Sequence, residues 1–234
     1  MSKGRSSLRL ALSLALNAVL LALAAGYLAR RFLLAPPEVG EIRYTAERLS
    51  ILSELPARKG GTVFLGDSLT ERGEWAELFG DASLRNRGVA GDTTTGVLAR
   101  VDLVTSLAPE RVFLLVGVND LGAGEPVPAI AERYAAIVSA LAKGAPAAKL
   151  YCESVFPVRE GAPRLIDNDK IRALNAAIAK IAAERGCTYV DVQRALVDGA
   201  GELDASFTVD GLHLNGKGYA VWASALAPLL RPAD

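Results

Sequence analysis

The chain has 234 residues, 51% of them hydrophobic, and a formal charge of zero, which is enough for one substantial core and suggests one main domain or at most two. The charge is uneven: residues 1–35 hold five basic side chains (Lys3, Arg5, Arg9, Arg30 and Arg31) and no acidic one, leaving 21 basic against 26 acidic in residues 36–234. An acidic folded part lacks the basic face that a nucleic-acid partner needs, and two cysteines, Cys152 and Cys187, are too few for a disulfide framework or a zinc site.

From Leu10 to Ala29 the chain runs for 20 residues without a charge, rich in Leu and Ala. As a helix this stretch would be about 30 Å long, enough to cross the hydrocarbon core of a bilayer. It exceeds the usual apolar region of a signal peptide, about 7–15 residues. Arg30-Arg31 follow at once, so an uncleaved anchor is favoured over a signal sequence cut near Ala22-Leu23-Ala24. Residues 1–35 are therefore expected to be a transmembrane anchor or signal sequence. The rest is expected on the extracytoplasmic side, periplasmic or extracellular, or secreted if the segment is cleaved. The charges flanking the segment do not set its orientation.

Residues 36–60 are read as a linker and an amphipathic helix. Ala35-Pro36-Pro37 is stiff, and Glu41 to Leu55 carries Ile42, Leu49, Leu52 and Leu55 at helical spacing before Pro56 ends it. From residue 61 to 234, short β-rich runs alternate with longer helical patterns, the signature of a parallel sheet with crossover helices on both faces. The predicted strands are 62–66, 83–88, 111–117, 148–155 and 187–192. The predicted helices are 73–79, 94–107, 127–143, 167–185 and 217–230. The third strand is apolar from Val112 to Val116, as a strand covered on both faces should be. Ile171, Leu174, Ile178 and Ile181 form one helical stripe.

Ligands of an open parallel sheet bind beyond the carboxyl ends of its strands, and here each polar motif follows a strand. Gly66-Asp67-Ser68-Leu69 follows the first, and Ser68 is a candidate nucleophile that needs a base within hydrogen-bond reach. The stretch Asn86 to Thr95 follows the second, where Gly91 can offer a backbone N–H; Gly117-Val118-Asn119-Asp120 follows the third, where the Asn119 amide can donate. Asp210-Gly211-Leu212-His213 precedes the last helix, with Asn215 as its N-cap. His213 is the single histidine of the chain, three residues after a carboxylate that could fix its tautomer. Taken singly, each motif is ordinary turn or capping chemistry. Their order at successive strand ends makes coincidence a poor account.

With these four blocks the chain resembles the SGNH hydrolases, also called GDSL esterases and lipases, over about residues 61–230. Asn86 to Thr95 looks especially like the corresponding stretch in bacterial relatives of platelet-activating-factor acetylhydrolase catalytic subunits. The resemblance implies a flavodoxin-like three-layer α/β/α sandwich around a five-stranded parallel sheet, and ester hydrolysis through a serine acyl-enzyme with no cofactor and no metal. It implies a catalytic set of Ser68, Asp210 and His213. It also implies an oxyanion hole formed by the Ser68 and Gly91 backbone N–H groups and the Asn119 amide. An α/β-hydrolase is the poorer match, because Thr70 stands where its nucleophile motif needs glycine.

The expected substrate is a small-molecule or glycan/lipid ester with a short, acetyl-like acyl group; Phe156, Pro157, Val158 and Leu165 could line an apolar acyl site, or could simply pack under a helix. Three other readings stay open. An O-acyltransferase would use the same acyl-enzyme. A catalytically silent membrane-tethered domain would bind a glycan or lipid, although Ser68, Asp210 and His213 are all retained. A metal-dependent phosphoesterase would have to rely on Asp67, Asp92, Asp120 and Asp210, with one histidine and no cysteine pair to help. Oligomeric state is not legible.

Overall fold

A computed structural model describes residues 14, 17–24, 26, 39–163 and 166–230. The described residues of the predicted membrane segment, 14, 17–24 and 26, are helical; the others of Leu10–Ala29 lie outside the described residues. Among the described residues no helix is long and apolar enough to cross a membrane. Tyr44–Asp234 forms one compact unit and Met1–Arg43 another.

The element order is α1 (Val39–Glu54), β1 (Thr62–Gly66), α2 (Ser68–Glu71), α3 (Trp75–Phe79), β2 (Arg85–Gly88), α4 (Thr94–Ala99) and α5 (Asp102–Thr105), followed by β3 (Arg111–Leu115), α6 (Val118–Gly122), α7 (Val127–Gly144), β4 (Lys149–Glu153), α8 (Asn168–Arg185), β5 (Thr188–Val190) and α9 (Gly216–Leu230). The five strands form one sheet in the order β2-β1-β3-β4-β5, every pair parallel. The strand order reverses direction at β1, which puts the gap between the ends of β1, β2 and β3 at the place where such sheets bind ligands.

Register explains the core. Phe64 pairs with Phe113 and Phe113 with Tyr151, so their rings stack across three strands at centroid distances of 5.1 and 4.4 Å. Trp75 of α3 lies flat on Phe64 at 4.2 Å, and Trp222 of α9 meets Trp75 edge-on at 4.7 Å. That face is closed by α3 and α9; α4, α5, α7 and α8 pack together on the other, where Tyr134 donates to the Leu114 carbonyl. The predicted stripe of α8 is buried as expected.

The structure departs from the sequence reading in several places. Helix 94–107 is two short helices, because Arg100 turns inward at the break and spends its donors on the sheet edge. Residues 68–71 and 118–122, read as loop, are single helical turns. The second to fifth strands are shorter than predicted. Phe156 and Val158 are core residues, Phe156 edge-on to Trp222 at 4.7 Å, and Leu165 lies outside the described residues.

Glu153, at the end of β4, is 1% exposed and accepts the Trp222 indole N–H at 2.5 Å. Burial raises its carboxyl to about 8, the indole bond offsetting only part of the rise. From its ordinary value of 4.5 up to about 8, the folded chain keeps a proton that the unfolded chain releases, so this group erodes stability as pH rises. The slope is about 1.4 kcal/mol per pH unit for one proton, and it vanishes above the folded value. Glu153→Gln keeps an acceptor for the indole and removes the ionisation. Its melting temperature is expected to match wild type near pH 5 and exceed it by several degrees near pH 8.5; equal melting at both pH values would show that Glu153 does not titrate this way.

Candidate active site

Ser68 is the first residue of α2, directly after β1. Asp67 caps that turn, its Oδ1 accepting the Leu69 N–H at 3.0 Å. The turn is pinned from both sides: the Tyr219 hydroxyl of α9 donates to the Leu69 carbonyl at 2.7 Å, and the Asn86 amide of β2 donates to the carbonyls of Thr70, Glu71 and Gly73. These bonds satisfy carbonyls that the end of a short helix leaves without partners.

The loop before α9 brings His213 back to β1. Ser68 Oγ lies 3.0 Å from His213 Nε2, across 145 residues of sequence, and His213 Nδ1 lies 2.7 Å from Asp210 Oδ2. Asp210 Oδ1 accepts the N–H groups of Leu212 and His213. Partial burial pushes the Asp210 carboxyl up, but the bonds from the His213 ring, the His213 N–H and the Leu212 N–H outweigh it and hold the group at about 2. An ionised carboxylate only accepts, so Nδ1 must donate; in the neutral ring Nε2 is then the acceptor and the Ser68 hydroxyl is its donor. A hydroxyl so placed can lose its proton to the ring as it attacks. The loop itself is stapled, with the Arg159 N–H donating to the Gly211 carbonyl and the Thr208 hydroxyl to the His213 carbonyl. Asn215 accepts the Lys217 and Gly218 N–H groups as the predicted N-cap of α9.

The other predicted residues stand at the ends of the neighbouring strands. Gly91 follows β2 with φ +77°, a conformation that favours glycine. Among the described residues its N–H has no protein acceptor, and neither does that of Ser68. Asn119 is the second residue of the single turn α6 after β3; one of its amide hydrogens goes to the Asp92 carbonyl at 2.8 Å and the other has no partner among the described residues. Three donors with spare capacity thus lie around the β1 end.

Four carboxylates were candidates for a metal, and each has another use. Asp92 pairs with Arg100 at 2.7 Å, Asp120 accepts from Thr94 and Arg133, and Asp210 holds His213. Among the described residues no group of three His, Cys, Asp or Glu is placed to hold a metal ion. Asp67 is fully buried and its Oδ2 has no partner among the described residues. Burial, helped by Asp92 and Asp120 and opposed by the Leu69 N–H and Arg100, raises its carboxyl to about 7. A neutral acid there avoids the cost of a buried unpaired charge.

Arg100 was missed by the sequence reading. Buried, it donates to Asp92 Oδ2, the Arg87 carbonyl at 2.8 Å and the Gly66 carbonyl at 2.9 Å, tying together the ends of β1 and β2 and the Gly91 loop. Its sequence signal is weak, a charged residue between Val97-Leu98-Ala99 and Val101.

The GDSL-like lipase/acylhydrolase family model matches residues 64–221. Platelet-activating factor acetylhydrolase IB subunit alpha2 from Homo sapiens is 26% identical over 82% of the chain and 85% of the relative. A GDSL-like lipase of known structure from Bacteroides thetaiotaomicron is 25% identical, with a TM-score of 0.65 over 81% of this chain and 96% of that one. A Streptococcus pneumonia chain described as a candidate platelet activating factor is 27% identical, with a TM-score of 0.73 over 90% and 99%.

Proposed function

Because the chain belongs to the GDSL-like lipase/acylhydrolase family and is a carboxylic ester hydrolase, we propose that Ser68, His213 and Asp210 carry out the hydrolysis and that the substrate is a short-chain, acetyl-like ester of a carbohydrate or lipid. The observation that carries the assignment is the unbroken chain from hydroxyl to imidazole to carboxylate, at 3.0 and 2.7 Å.

Ser68 Oγ attacks the acyl carbonyl while His213 Nε2 takes its proton. Asp210 keeps the ring in the productive tautomer and stabilises the imidazolium that forms. The Ser68 and Gly91 N–H groups and the free Asn119 amide hydrogen receive the oxyanion; such donors typically contribute about 100- to 1,000-fold each. Collapse breaks the ester C–O bond, His213 returns the proton to the departing alcohol, and water, activated by the same ring, releases the acid from the acyl-enzyme.

Two observations favour a short acyl group. The curated relatives are named acetylhydrolases. Phe156 and Val158, which could have walled a longer acyl channel, are consumed by the core. The apolar run Leu10–Ala29 with its basic flanks supports a membrane-held enzyme whose catalytic unit lies outside the cytoplasm. The test is the full chain assayed in separated membrane and soluble fractions against p-nitrophenyl acetate, butyrate and palmitate. Activity is expected with the membranes, with kcat/KM falling as the acyl chain lengthens. Palmitate turned over fastest would sink the short-acyl reading, and activity confined to the cytosol would sink the tether.

A further inference from the structure

Gly91 is the third residue of a tight turn, Val89 to Asp92, closed by the Asp92 N–H on the Val89 carbonyl at 3.1 Å. With φ +77° at Gly91 the turn is of type II. Its middle peptide, Ala90–Gly91, is the unit that rotates when a type II turn becomes type I, and that peptide carries the Gly91 N–H. Because a peptide is planar and trans, the N–H points opposite to the Ala90 carbonyl. Rotation would therefore aim an oxygen where a donor is needed.

Ala90 is held from outside the turn on both sides, its N–H fixing the preceding Val89–Ala90 peptide and its carbonyl the Ala90–Gly91 peptide. Glu71, the last residue of the nucleophile's own helical turn, accepts the Ala90 N–H on Oε2, and its Oε1 accepts the Tyr44 hydroxyl of α1. Arg48 of α1 places Nε 3.6 Å from Glu71 Oε1 and donates to the Gly88 carbonyl at 3.2 Å. The Thr45 hydroxyl donates to the Ala90 carbonyl at 3.4 Å. The two strand ends meet without a side chain between them: a Cβ on Gly88 would come within 2.2 Å of the Glu71 nitrogen. The Glu71 side chain is mostly shielded, with 10% exposure, which strengthens its charge-assisted bond.

We propose that Glu71, braced by Tyr44 and Arg48, is a positioning residue that anchors Ala90 through its N–H while Thr45 holds the Ala90 carbonyl, so that together they keep the 90–91 peptide turned with the Gly91 N–H facing the oxyanion and make the helix preceding the sheet part of the hydrolytic apparatus. The inference rests on the assignment of Ser68 and Gly91 above. It is tested in the full chain by comparing Glu71→Ala, Glu71→Gln and Thr45→Val with wild type. The readouts are kcat and KM on p-nitrophenyl acetate and inhibition by butylboronic acid, whose tetrahedral serine adduct puts an oxygen in the same place.

Glu71→Ala is expected to lower kcat roughly 10- to 100-fold and to weaken the boronic acid by the same factor, with KM changed less than about two-fold. Glu71→Gln, which still offers an oxygen to Ala90, is expected to recover most of both. Should Glu71→Ala fail to fold, Thr45→Val carries the test with a smaller parallel loss. A Glu71→Ala kcat within about two-fold of wild type, or a fall in kcat without a matching loss of boronic acid affinity, overturns the proposal. Failure of the underlying assignment looks different: wild-type hydrolysis would then survive Ser68→Ala.

Discussion

Ser68→Ala is expected to lower kcat on p-nitrophenyl acetate by roughly 10⁴- to 10⁶-fold, leaving only what binding and the oxyanion donors supply. The size of the effect follows from what the hydroxyl does and does not touch. Its hydrogen bond is to His213 Nε2, so alanine removes the proposed nucleophile and leaves every other bond of α2 in place; the melting temperature should stay close to wild type. No second hydroxyl–histidine pair stands elsewhere in the chain, because His213 is its only histidine. Unaltered turnover in a folded Ser68→Ala protein would mean that a different nucleophile operates.

Asp210→Asn is expected to cost about 10⁴-fold in kcat with little change in KM or stability. The carboxylate does two separable jobs. Oδ1 caps the loop by accepting the Leu212 and His213 N–H groups at 2.9 and 2.7 Å, and an asparagine carbonyl oxygen can keep both bonds. Oδ2 accepts from His213 Nδ1 at 2.7 Å, and there asparagine presents an NH₂ group instead. Nδ1 must then accept, the ring proton moves to Nε2, and the face toward Ser68 becomes a donor that cannot take the serine proton. The carboxylate, at about 2 in the folded chain, is ionised at any ordinary assay pH. The loss should therefore persist from mildly acidic to alkaline conditions, and a fall of less than ten-fold would remove Asp210 from this role.

Much of the fold was legible because a parallel sheet covered on both faces writes itself as continuous apolar runs, and long helices as stripes. The run Val63 to Leu65, the run Val112 to Val116 and the α8 stripe are cases of each. Short elements left no such trace. The single turns at Ser68–Glu71 and Val118–Gly122 are too brief for a period, and the break at Arg100 comes from a buried guanidinium reaching backbone carbonyls that lie 13 and 34 residues earlier in the chain. Phe156 and Val158 read equally well as pocket lining or core, because an apolar side chain does not say which apolar surface it will meet.

What the sequence determined alone was the order of chemistry along the chain: strand, hydroxyl, glycine, amide and acid–imidazole pair, each carried to the same edge because parallel strands all end on one side. Only the tertiary structure decided pairing. Asp92 faces Arg100, Asp120 faces Thr94 and Arg133, Asp210 faces His213, and Glu71 faces Ala90 and Tyr44. The same packing left the Glu153 and Asp67 carboxyls buried with their acidity reduced. Charges and hydrogen bonds act over a few ångströms, and those distances exist only once the sheet and its helices have brought remote segments together.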